Sequence, residues 1–337
     1  MKMITISVDK PQRIRTIDIA RGIAIFSIII GHFGIYPIVR VVFTYHVPIF
    51  YIITGYLIRK ENIRSFTKRK ARSLLIPYGI TCITVAALQG LVVLTRGNDV
   101  IGTLWYWIKA GLYGAGGATG NLPSSFPPIG AVWFLLAIFW GSLLMQLVLW
   151  FSPYLQLLIV VLLFLFGYVT ANKLIWLPFD IQPGCCAVLY MYVGYLAKHY
   201  QGHLERYRKY ICPAAFVVWV YFIYTFTSFY LVSCDYGKGI VDILASFCAC
   251  YCIFFIAEKL NRFSGWAVDT LAFFGRYSLI VLCVHLVEMD LVDWWGLVSK
   301  LQEEGVSRIA GCGIAVGLKM LVIIGCTLLI VRFKENK

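Results

Sequence analysis

Little of this sequence is charged. Asp, Glu, Lys and Arg make up 14% of its 337 residues, where a soluble domain carries about 25%. Acidic residues are the scarcest, 16 against 30 basic ones. With 60% of the chain hydrophobic, no soluble fold of this length has enough interior to hide the apolar side chains. The bilayer is therefore the solvent. The net charge of +14 has no basic tract interleaved with aromatics outside the apolar runs, so no nucleic-acid partner is expected. No A-x-A-like cleavage site follows the first apolar run, which contains Asp18, Arg21 and His32. That run reads as a retained span, not a signal peptide. A disulfide framework is also missing, since most of the 11 cysteines lie inside apolar runs as small packing residues. Cys248, Cys250 and Cys252 alternate and cannot share one helix face, which argues against a metal cluster. No 20–50-residue repeat, heptad or separate soluble domain is found.

What is present is a series of apolar runs near the 20 or so residues a helix needs to cross a membrane. Ten fall at roughly 17–36, 41–59, 73–95, 130–151, 154–171, 185–199, 211–232, 239–258, 271–289 and 309–331. They predict an all-α integral membrane protein of about ten transmembrane helices with both termini cytoplasmic. Residues 1–16 form a cytoplasmic segment, 17–331 the transmembrane domain and 332–337 a cytoplasmic tail. The segments 1–16, 59–72, 198–210, 259–262 and 332–337 then face the cytoplasm and hold 20 of the 30 Lys and Arg, against 7 outside. The bias supports that orientation.

Ionisable residues inside spans are costly and mark function by default. Ten residues separate Arg21 from His32. The eleven-residue step closes to about 20° beyond three helical turns and spans about 16 Å, so both side chains share one stripe. Asp18, one turn before Arg21, adjoins the same surface. His32, His46 and His285 fall at a similar depth in three spans, with Glu288 a turn beyond His285. The segment 59–78 is strongly basic, with Lys68, Arg69 and Arg72 just before the third span. Positive-inside topology and anionic lipid suffice to explain it; a phosphate clamp is the functional alternative. The longest outside loop, 96–129, holds Trp105, Tyr106 and Trp107 and a Gly-Pro stretch from Gly111 to Gly130. Its aromatics suit an interfacial belt or stacking on sugar rings.

RTIDIARGIAIFSIIIGHF (15–33), YHVPIFYIITGYL (45–57) and KRKARSLLIPY (68–78) together resemble the membrane acyltransferase 3 family. AVWFLLAIF (131–139) and FGRYSLIVLCVH (274–285) resemble its later signatures. Two positions depart mildly, with Tyr45-His46 for Phe-His and Thr54-Gly55-Tyr56 for Ser-Gly-Tyr. The resemblance implies a bacterial plasma-membrane O-acyltransferase. Its donor would be a cytosolic acyl-coenzyme A, acetyl-CoA by family habit, used as co-substrate with no permanently bound cofactor and no metal. Its acceptor would be a hydroxyl of a surface polysaccharide or lipid-linked glycan on the outer side.

On that reading His32 is the general base, or a transient acyl carrier. Arg21 is its essential partner, Asp18 holds Arg21, and His46 orients His32 or binds the oxyanion. Lys68, Arg69 and Arg72 bind the coenzyme, and Trp105, Trp107, Trp133, His285 and Glu288 bind substrate. The competing class is a transporter or flippase without acyl chemistry; it would show two related halves, and none are visible here.

Overall fold

The computed structural model describes residues 14–117 and 121–336. Most of the segment 1–16, part of the Gly-Pro stretch and the last residue of the tail lie outside the described residues. Within them the chain is all-helical, and a single isolated β-bridge pairs Tyr230 with Asp235. In order the helices are α1 (Arg15–Gly31), α2 (Tyr36–Val42), α3 (Pro48–Leu57), α4 (Ile63–Thr95), α5 (Val100–Tyr113), α6 (Trp133–Val148), α7 (Pro153–Lys173) and α8 (Ile181–His199). There follow α9 (Gln201–Arg206), α10 (Arg208–Tyr224), α11 (Ile240–Leu260), α12 (Trp266–Arg276), α13 (Ser278–Leu291), α14 (Trp294–Glu303) and α15 (Arg308–Glu335).

By length and composition, α4, α7, α11 and α15 can each cross a membrane, and the bent pair α12–α13 passes as a fifth. Several runs expected as single helices are interrupted. The run 41–59 is divided between α2 and α3, because Pro48 opens α3 at its first turn and leaves the turn at Phe43–Val47 between them. The ninth run bends by 80° at Tyr277. The third begins earlier than expected. Asn62 caps α4 by accepting the N–H groups of Arg64 and Ser65, so the basic segment is helical. At 33 residues, α4 is about 50 Å long, well beyond the roughly 30 Å of hydrocarbon. The segment 96–129, expected as an outside loop, also has structure of its own. Asp99 accepts the N–H of Gly102 and starts α5, and Gly114, at φ 79°, ends it.

Apolar burial does not drive helices together in lipid, whereas close packing does. The contact that matters most for the site is between α1 and α12. A side chain at Gly22 would collide with the Leu271 carbonyl, and one at Gly275 with the Asp18 carbonyl. The two backbones therefore touch, and α13 is launched from a fixed point beside α1. Ser27 of α1 also shares a hydrogen bond of 2.8 Å with the Tyr45 hydroxyl, which locks the Phe43–Val47 turn against the same helix.

Candidate active site

His32 sits at the end of α1, its N–H still bonded to the Ile28 carbonyl at 3.0 Å. The chain turns away at Gly34, whose φ of 78° favours glycine, and Pro37 opens α2. The imidazole therefore projects from a helix end into a cavity of about 60 Å³. Its walls include Ile28 from α1, Phe43 and His46 from the turn, Trp133 and Phe134 at the start of α6, Leu282 from α13, and Phe229–Val232. The cavity is mostly apolar and large enough for a few waters or a short acyl group.

The partner of His32 comes from α13. His32 Nδ1 lies 3.0 Å from His285 Nε2, with ring planes 17° apart. His285 Nδ1 in turn lies 3.2 Å from Glu288 Oε2, a pair one helical turn apart. The indole N–H of Trp294, at the start of α14, donates to Glu288 Oε1, and Lys319 Nζ of α15 stands 3.7 Å from the same oxygen. His285, Glu288 and Lys319 are all buried. Glu288 thus accepts from the Trp294 indole on one oxygen and faces His285 on the other. With His285 donating from Nδ1 to that oxygen, its Nε2 is free to accept from His32 Nδ1–H, and His32 then carries its lone pair on Nε2. Removing one member of such a buried charge pair costs about 3–5 kcal/mol.

His285 and Glu288, read as substrate-binding residues, stand behind His32 and do not line its cavity. His46 does line it, but its Nδ1 is 2.8 Å from the Val42 carbonyl. A carbonyl only accepts, so the hydrogen is on Nδ1, and neutral His46 offers a lone pair rather than a donor for an oxyanion. The bond that orients His32 comes from His285. Trp133 is in the cavity wall, whereas Trp105 and Trp107 lie on α5 outside it. Trp105 is exposed and Trp107 packs partly on the core.

At the opposite end of α1, Asp18 is buried and Arg21 half-buried. Lys68, Arg69 and Arg72 are exposed on the first turns of α4. Arg69 grips Glu61 with both guanidinium nitrogens, at 2.7 and 2.5 Å, and holds that carboxyl below the usual carboxylate range. Lys70 is half-buried and within electrostatic reach of Arg69, Arg21 and Glu61. Sequence reasoning missed Lys70 and Lys319. Lys70 was one of seven cations in a basic segment, with nothing to single it out. Lys319 was visible as the one charged residue in the run 309–331, which was the available signal.

The family described as an acyltransferase domain matches residues 14–331. The nodulation protein NolL of Mesorhizobium japonicum is 30% identical over 115 residues, 26% of this chain and 31% of its own length. The chain thus spans under a third of that relative. No solved structure matches. With the family match running from the first turn of α1 through most of α15, the chain belongs to the acyltransferase 3 family.

Proposed function

We propose that this protein is an O-acyltransferase of the bacterial plasma membrane. It moves an acyl group, acetyl in the simplest case, from cytosolic acyl-CoA to a sugar hydroxyl of a surface polysaccharide or lipid-linked glycan. In this reading ten spans carry the chain, with both ends in the cytoplasm, and the basic start of α4 faces the cytosol. Lys70 and Arg21 then form the inner mouth, with Lys68, Arg69 and Arg72 around it, and the phosphates of the coenzyme supply the anions that such a cluster of cations attracts. The pantetheine arm extends along α1 and presents its thioester at the His32 cavity, whose small volume suits a short acyl chain.

His32 Nε2 takes the proton of the acceptor hydroxyl as its oxygen attacks the thioester carbonyl. The carbon–sulfur bond breaks, and the thiolate of the coenzyme leaves with the proton that His32 has held. While His32 is an imidazolium, its Nδ1–H bond to His285 and the carboxylate of Glu288 stabilise the charge, as the orienting acid does in hydrolase triads. The observation that carries the proposal is the 3.0 Å His32–His285 bond beside the cavity. The experiment is transfer of labelled acetyl from acetyl-CoA to membrane glycan by wild type and His32→Ala. Loss of transfer in protein that is inserted and folded supports the reading; full transfer by His32→Ala ends it.

A further inference from the structure

We propose that Lys319 is a positioning residue for His32, acting through Glu288 and His285, and so a fourth member of the reacting assembly, contributed by the last helix. The inference rests on the reading of His32 as base and extends it to a residue that touches neither donor nor acceptor.

Lys319 is the only charged residue between 309 and 331 and is 2% exposed. An ammonium inside an apolar span is expensive unless paired. Its partner is Glu288, at 3.7 Å, the same carboxylate that meets His285 Nδ1 at 3.2 Å. An ion pair that served only to join α13 to α15 would have no need of the residue that also fixes the histidine. Two consequences follow from the geometry. First, the ammonium and the Trp294 indole hold Glu288 in place, so that Oε2 stays against His285 Nδ1 and fixes the imidazole that meets His32. Second, the ammonium offsets the charge of the carboxylate it meets, so that Glu288 does not act unopposed on the two imidazoles. The other titratable groups facing this assembly are His46, which acts electrostatically on His32, and Asp290, which acts on Glu288. Neither supplies a positive charge that could replace Lys319.

The test compares Lys319→Met and Lys319→Arg with wild type for acetyl transfer across pH, using acetyl-CoA and extracted glycan. With Lys319→Met, kcat falls about 10- to 100-fold while KM for acetyl-CoA stays within about twofold, as removing one orienting group from a base predicts. The acid limb of the pH–rate profile moves up, because the Glu288 carboxylate then acts on the imidazoles without its counter-charge. Lys319→Arg restores the limb. Should Lys319→Met fail to fold, the pair Glu288→Gln with Lys319→Met removes both charges and leaves none stranded. It is expected to match Glu288→Gln alone in rate. A wild-type pH profile in folded Lys319→Met, or a rate loss that merely follows the folded fraction, overturns the proposal. Either result alongside an inactive His32→Ala sinks only the role of Lys319, whereas an active His32→Ala sinks the base reading beneath it.

Discussion

Replacing His285 with Ala separates a relay from a collection of buried residues. The side chain accepts the Nδ1–H of His32 at 3.0 Å and passes the interaction on to Glu288 at 3.2 Å. During the reaction that bond becomes charge-assisted, and such bonds are worth about 1.5–3 kcal/mol. At about 1.36 kcal/mol per decade, His285→Ala lowers kcat by about 10- to 150-fold. Loss of the base itself in His32→Ala costs about 10²- to 10⁴-fold. The two residues act as one unit, so the double variant is no slower than His32→Ala alone. The assay is incorporation of radiolabelled acetyl into extracted glycan by detergent-purified enzyme, each variant normalised to folded protein by its thermal unfolding curve. Multiplicative losses in the double variant would show that His285 works independently of His32, and the relay would be refuted.

Three other outcomes are expected. Trp133→Ala opens the wall of the 60 Å³ cavity and raises the ratio of kcat/KM for butyryl-CoA over acetyl-CoA by about tenfold, the scale of one or two methylenes in an apolar pocket; competition between the two donors measures it. Gly275→Val drives a side chain into the Asp18 carbonyl and lowers stability by about 1–3 kcal/mol or more, seen as a fall in Tm in detergent. Arg69→Ala with Arg72→Ala raises KM for acyl-CoA several-fold at unchanged kcat. Because Arg69 depresses the Glu61 carboxyl, their contact is fully present above the ordinary carboxylate pKa of about 4.3 and fades as pH falls through the lower folded value. Protection from hydrogen exchange at residues 59–66, corrected for the intrinsic rate at each pH, therefore falls only in acid, and in Arg69→Ala it is low throughout.

The helical class and the apolar runs were legible because they depend on local composition, which the bilayer makes decisive. The interruptions were less so. Hydropathy averages over about nineteen residues, so it merges α2 with α3 and α12 with α13, although Pro48 is plain in the sequence. The 80° bend at Tyr277 has no proline behind it, and Gly275 beside it gives no sign of a bend until Asp18 is known to lie against it. The segment 100–113 was read as loop because aromatics and Gly outweighed the Asp99 cap that starts a helix there.

In the site, periodicity reached as far as one helix allows. It aligned Arg21 with His32 and found His285 with Glu288 a turn apart, but relations along a helix carry no information about which helix lies opposite. For that reason it could not show that His285 and Glu288 stand behind His32, outside its cavity. Lines drawn at similar depth place three histidines in one layer, and only the α1–α12 crossing decides that His285 is bonded to His32 while His46 turns its Nδ1 to a carbonyl. Lys319 illustrates the remaining gap. A lysine eleven residues into an apolar helix reads as a costly exception, and its cost becomes intelligible when the bend aims α13 so that Glu288 meets both a histidine and an ammonium. On the proposed function, a base that accepts a proton in passing calls for a carboxylate close by, and a carboxylate in the membrane calls for a cation of its own.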